Sequence, residues 1–109
     1  MELQKKSVVA TGIRLSVNKN DVEIARAYLY IMHNDLHDCP FGLLEDVFVE
    51  DNYRGQGIGS ELLKEVLEVA RKQNCYKLIA TSRTSRQKVH ELYKRLGFKE
   101  YGIEFRIDF

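Results

Sequence analysis

Residues 53–60 read YRGQGIGS, and the residues that follow, ELLKEVLEVARK, carry apolar side chains at helical spacing. Three glycines in five positions, Gly55, Gly57 and Gly59, lead into that helix, although a glycine inside a helix costs about 1 kcal/mol relative to alanine. A chain keeps such a stretch where bare backbone is needed. Between a strand and the first turn of a helix, backbone N–H groups have no intrahelical partner and the helix dipole favours negative charge. The natural guest is an anion. Without Cβ atoms at the three glycines a diphosphate can approach the main chain, and Arg54 adds a positive charge from the rim. The segment reads as a pyrophosphate cradle, and the bland alternative is a tight turn with close helix–strand packing.

Two common phosphate-binding patterns do not fit. No Gly-Lys-Ser/Thr follows, so the P-loop spacing fails, and the third glycine of the dinucleotide fingerprint would have to be Ser60. About 20 residues beyond Gly55, where that fingerprint places an acidic residue for a ribose, stands Cys75.

Outward from the glycines the pattern is that of alternating elements. Val8 to Val17 and Val22 to Met32, rich in Val, Ile and Tyr, predict two strands joined by the turn NKND, and FGLLEDVFVE (41–50) predicts a third. From Gly57 to Gln73, Ile58, Leu62, Val66 and Ala70 form one apolar row with Leu63 and Leu67 beside it, which predicts an amphipathic helix. YKLIATSR (76–83) predicts a fourth strand. A second helix is expected from Thr84, where Thr84 and Gln87 have capping-box spacing, to Gly97, with Val89, Leu92, Tyr93 and Leu96 as its stripe. The tail alternates Ile103, Phe105, Ile107 and Phe109 with Glu104, Arg106 and Asp108, which predicts a last strand. The expected fold is α/β: a mixed, mostly antiparallel sheet with two main helices, in the order βββαβαβ with one parallel crossover.

At 109 residues the chain is expected to form one domain over 1–109. Its net charge of +1 gives no global field to draw in nucleic acid or an anionic membrane, so a bound anion must be held locally. Cys39 and Cys75 lack paired ligand spacing, and no apolar run suits a signal peptide or a membrane span. A cytoplasmic location is the default expectation.

These residues also carry a resemblance. LEDVFVEDNYRGQGIGSELL resembles the GCN5-related N-acetyltransferase superfamily, whose acetyl-CoA signature Arg/Gln-x-x-Gly-x-Gly/Ala is met by Arg54, Gly57 and Gly59. SRQKVHELYKRLGF looks like the family's helix ending in Tyr-x-x-x-Gly-Phe, here Tyr93, Gly97 and Phe98. The resemblance spans residues 41–101, with wording close to polyamine (diamine) acetyltransferases. It implies an acetyl-CoA-dependent transfer to a primary amine, with pantetheine along Val47, Phe48 and Val49 and the diphosphate over Gly55, Gln56, Gly57, Ile58, Gly59 and Ser60. A CoA-binding module without catalysis, or one subunit of a larger complex, is the alternative.

By resemblance Tyr93 is the general acid for the departing thiolate, and Glu45 is the base, directly or through water. Tyr93 can instead be a core tyrosine on the Val89–Leu92 stripe. Glu45 and Asp46 are neighbours, so a regular strand sends them to opposite faces and a bulge would exchange them. Where the family often has Asn against pantetheine, this chain has Arg86, which can reach a CoA phosphate. His33, Asp35, His37, Asp38 and Cys39 are metal-ligand types without a zinc spacing, so no metal is expected. Family members usually have two helices between their first strand and the hairpin, and here the hairpin comes almost at once. Tyr28, Tyr30 and Met32 are therefore expected to be short of cover, which a homodimer would supply.

Overall fold

The computed structural model describes residues 1–109. Strands β1 (Ala10–Lys19) and β2 (Val22–Met32) form an antiparallel hairpin. Asn20 and Asp21 close it with φ of 52° and 63°, a two-residue turn of the kind whose twist matches that of the strands it joins, made from residue types that tolerate the left-handed region. Strand β3 (Phe41–Val49) lies antiparallel on the other edge of β2. Helix α1 (Ile58–Lys72) then carries the chain across to β4 (Leu78–Ala80), which pairs parallel to β3. Helix α2 (Gln87–Arg95) follows, and the strand order is β1-β2-β3-β4. This is the expected mixed, mostly antiparallel sheet with two helices.

The core follows from the two periodicities. Ala25, Ala27, Leu29 and Ile31 alternate along one face of β2 and are buried with Leu44 of β3 against Leu62, Leu63, Val66 and Ala70 of α1. Fully burying one such leucine stabilises by about 1.5–3 kcal/mol. On the other face of β2, the rings of Tyr28 and Tyr30 stack at 6.4 Å with an 11° interplanar angle. Gly12 lets Tyr30 lie across β1, since a Cβ there would stand 3.1 Å from the ring. Tyr28, Tyr30 and Met32 are half-buried.

Both helices end in the same way. Asn74, with φ 61°, follows α1, and Cys75 N–H donates to Ala70 O while Asn74 N–H donates to Arg71 O. Gly97, with φ 101°, follows α2, and Phe98 N–H donates to Tyr93 O at 3.0 Å while Gly97 N–H donates to Lys94 O at 3.1 Å. These paired bonds satisfy carbonyls that a helix end leaves free.

Three expectations are corrected. Helix α2 begins at Gln87 rather than Thr84, and the capping box does not form: the Gln87 side chain donates to the main-chain carbonyl of Thr84 at 3.0 Å. Strand β4 keeps only Leu78–Ala80 of the expected 76–83. The last strand is absent, so the order is βββαβα, and Ile103, Phe105, Ile107 and Phe109 are exposed. Alternation specifies which face a strand would bury, but a ladder also needs a partner edge, and β4 offers three residues. No helix is long and apolar enough to cross a membrane.

Candidate active site

The site originates in an irregularity of β3. Arg26 pairs with Phe48 and Tyr28 with Glu45, so Ala27 alone faces the two residues Asp46 and Val47. Asp46 is the turning point, with φ 50°. Such a bulge bends its strand and re-aims the side chains after it. Leu44 belongs to the core while Glu45 aligns with Tyr28 on the opposite face, and beyond the bulge Val47 and Val49 pack against the core. Phe48 lies under the Arg26 guanidinium, 4.7 Å from its ring centre. Parallel pairing between β3 and β4 stops just before the bulge, at Leu44 and Ala80. From there the two strands part around a groove of about 1090 Å³, with Glu45 to Val49 on one wall and residues 81–83 and 85–89, Leu92 and Tyr93 on the other.

At one end of the groove lies the glycine loop. Gly55 and Gly57 have φ of 78° and 82°, and Gly57 is the residue that starts α1. A Cβ at either position would meet nothing within 4 Å, so the backbone conformation, rather than crowding, requires glycine there. Gly59 differs: its Cβ would stand 3.7 Å from Val49, an ordinary contact. The close-packing explanation for the glycines therefore does not account for any of the three. The N–H groups from Gly55 to Ser60 donate to no acceptor in the protein. Open space, free donors and the start of a 15-residue helix fit a diphosphate. Arg54 is anchored at the rim, with Nε donating to Val49 O at 2.9 Å and Nη1 2.9 Å from Asp51.

Tyr93 enters from α2. The bond from Phe98 N–H to its carbonyl and a ring-to-ring distance of 5.2 Å to Phe98 fix its place at the helix end. Its phenol is pushed above the ordinary value near 10.0 by burial, with Arg86 pulling it down and Glu45 pushing it up. Glu45, Arg86 and Tyr93 therefore share one groove and feel one another's charge.

Val47, Phe48, Val49, Arg54, Gly55 and Gly59 line this groove, and Gly57, Ile58 and Ser60 line an adjoining cavity. Gln56 lines neither: its side chain donates to Asn52 O at 3.3 Å and braces the loop. His90 Nε2 lies 2.9 Å from Arg83 O, holding the segment before α2. The Cys75 thiol is pushed up by burial. His37 packs against Tyr76 and Asp35 pairs with Lys6, so the His33–Cys39 stretch spends these side chains on other contacts. Sequence reasoning missed Arg83, Lys88 and Arg95 on the walls and the crossing of the tail, whose Glu104 and Arg106 border the groove. The spacing of Lys88, Leu92 and Arg95, one helix face, was the available signal.

The Acetyltransferase (GNAT) family model matches residues 10–98. A glucosamine 6-phosphate N-acetyltransferase from Trypanosoma brucei brucei is 37% identical over 67 residues, which are 62% of this chain and 44% of that protein. A thialysine N-epsilon-acetyltransferase from Bos taurus is 42% identical over 57 residues, 52% of this chain and 34% of that one. The chain thus matches less than half the length of these relatives. Among solved structures, a putative acetyltransferase from Agrobacterium tumefaciens superposes with a TM-score of 0.79 at 28% identity, covering 85% of this chain and 65% of that one.

Proposed function

Because the chain belongs to the acetyltransferase (GNAT) family, we propose that it transfers an acetyl group from acetyl-CoA directly to a primary amine. The observation that carries the reading is the run of free N–H groups from Gly55 to Ser60 at the end of a groove that β3 and β4 leave open. The relatives' names support the acceptor class, since glucosamine 6-phosphate and thialysine are both primary amines.

In this reading the residues divide the work by position. Gly55 to Ser60 and Arg54 hold the diphosphate, and the part of β3 without a β4 partner, Val47 to Val49, accompanies the pantetheine arm as a neighbouring strand would. Glu45, directly or through one water, takes the proton of the attacking amine. A main-chain N–H of β3 faces the thioester oxygen as negative charge develops there. Tyr93, kept protonated by its burial, gives its proton to the departing thiolate. Arg86 adds positive charge on the same wall. The bond from amine nitrogen to carbonyl carbon forms as the carbon–sulfur bond breaks, and no metal is needed for either.

The domain occupies residues 1–109, acts as a homodimer and works in the cytoplasm; the free thiols of Cys39 and Cys75 support a reducing compartment. The test is release of free thiol from acetyl-CoA against a panel of small amines, an aminoglycoside, peptide N-termini and a lysine peptide. Amine-dependent release supports the reading. Tight CoA binding with no release on any amine would favour a CoA-binding module instead.

A further inference from the structure

We propose that Lys88 and Arg95 make the site selective for a donor carrying a phosphate beyond its diphosphate, as coenzyme A does at the 3′ position of its ribose. The inference rests on the acyl-CoA reading above and concerns a part of the site that the chemistry of transfer does not use.

Beside the glycine loop, a cavity of about 410 Å³ lies between the start of α1 and α2. Its charged lining residues are Arg54, Lys88 and Arg95, and it has no carboxylate. Lys88, Leu92 and Arg95 stand at i, i+4 and i+7 of α2, so they share a face. Leu92 packs against the core, which fixes the rotation of the helix and points both cations at the loop. Arg54 is paired with Asp51, and the neighbouring Lys94 with Glu100, whereas neither Lys88 nor Arg95 forms an ion pair within the protein.

The diphosphate is already provided for. It has the free N–H groups of residues 55–60, the positive end of α1 and Arg54. Two more cations without counter-charges exceed that need and sit on the far wall, on a different helix. A phosphate monoester brings a charge of roughly −1.5 to −2 at neutral pH. It is the ligand group that such a pair neutralises, and Arg95 can bind it through two N–H donors at once.

The experiment compares CoA with 3′-dephospho-CoA by calorimetry, using the full chain at constant ionic strength. The wild type should bind CoA about tenfold or more tightly, and the preference should shrink with added salt. In Lys88→Ala/Arg95→Ala, shown folded by circular dichroism, CoA should weaken while dephospho-CoA stays within about twofold, so the preference collapses. Lys88→Arg/Arg95→Lys should restore most of it. Equal wild-type affinity for the two ligands, or equal loss of both in the alanine variant, overturns the proposal and leaves the acyl-CoA reading intact. If the folded wild type binds neither ligand, the acyl-CoA reading falls and the selectivity with it.

Discussion

Phe98 N–H donates to the carbonyl of Tyr93 at 3.0 Å, and the two rings stand 5.2 Å apart. One residue thus serves the helix end with its carbonyl and ring while lining the groove, where its phenol feels Glu45 and Arg86, and the two roles separate by mutation. Tyr93→Phe keeps the ring, so stability should hardly change while turnover falls about 10²–10⁴-fold at nearly unchanged donor affinity. Phe98→Ala should do the reverse first, lowering stability by about 1–3 kcal/mol. A folded Tyr93→Phe with near-normal turnover would make Tyr93 a packing residue. The pH dependence follows from the raised phenol. Between the unfolded value near 10 and the higher folded one, the unfolded chain loses its proton first, so this contribution to stability is intact below pH 10 and declines as pH rises through that window. Tyr93 is protonated at neutral pH, and the alkaline fall of kcat/KM that its ionisation causes should lie above the ordinary phenol value of 10.0.

The glycines make an internal contrast. Gly57 has φ 82°, where any other L-residue is strained by about 1–2 kcal/mol, and Gly57→Glu also brings negative charge and bulk to the diphosphate position. Acetyl-CoA binding should be lost in the folded variant. Gly59→Ala places its Cβ 3.7 Å from Val49 at a helical position, so the fold should gain up to about 1 kcal/mol with donor affinity kept within a few-fold. Calorimetric binding alongside thermal unfolding checks both. Unchanged affinity in folded Gly57→Glu would remove the diphosphate from this loop.

Glu45 differs from Asp46 in where the bulge leaves it: Glu45 is half-buried and faces Tyr28, whereas Asp46 is exposed. Glu45→Gln should lower turnover at neutral pH by about 10²–10⁴ without weakening CoA. Asp46→Asn should have a far smaller effect. The opposite order in steady-state kinetics would exchange their roles.

Much of this was legible in the chain. The hairpin turn, the Val-, Ile- and Tyr-rich run of β2 and the helical row of α1 are local patterns that also agree with the packing, so composition sufficed for Val22 to Met32 and periodicity for Leu62 to Ala70. Asp46 was not readable, because a left-handed aspartate in the middle of a strand leaves no mark in composition, although the alternative face for Glu45 turned on it. Thr84 misled because capping-box spacing does not say whether Gln87 will reach a main-chain N–H or, as here, a carbonyl. The tail misled for a different reason: Ile103 to Phe109 encode an apolar face, but alternation does not say whether a free strand edge lies within reach to pair with it.

That exposed face motivates a prediction about assembly. Phe105 and Phe109 are in solvent, Ile103 and Ile107 are nearly so, and Tyr28, Tyr30 and Met32 are only half-covered. A two-fold contact through β2 or residues 101–109 should bury more than roughly 1,000 Å². Light scattering at micromolar concentration should give twice the chain mass. A monomer that still acetylates an amine would show that the dimer is not required.

Asp46 also sets the parity of its strand. Before it the even-numbered Leu44 meets the core, after it the odd-numbered Val47 and Val49 do, and Phe48 is left to Arg26. A chain one residue shorter here would pair Ala27 with Val47 alone, keep Val47 and Val49 inward and Phe48 outward, and, without the bend, let β3 and β4 zip together past Leu44 and Ala80. Each further rung would contribute about 1 kcal/mol, so closure would be favoured. The groove is an interrupted zipper held open by one surplus residue, and deleting that residue is the change that would make the sheet more regular and leave no room for a ligand between its strands.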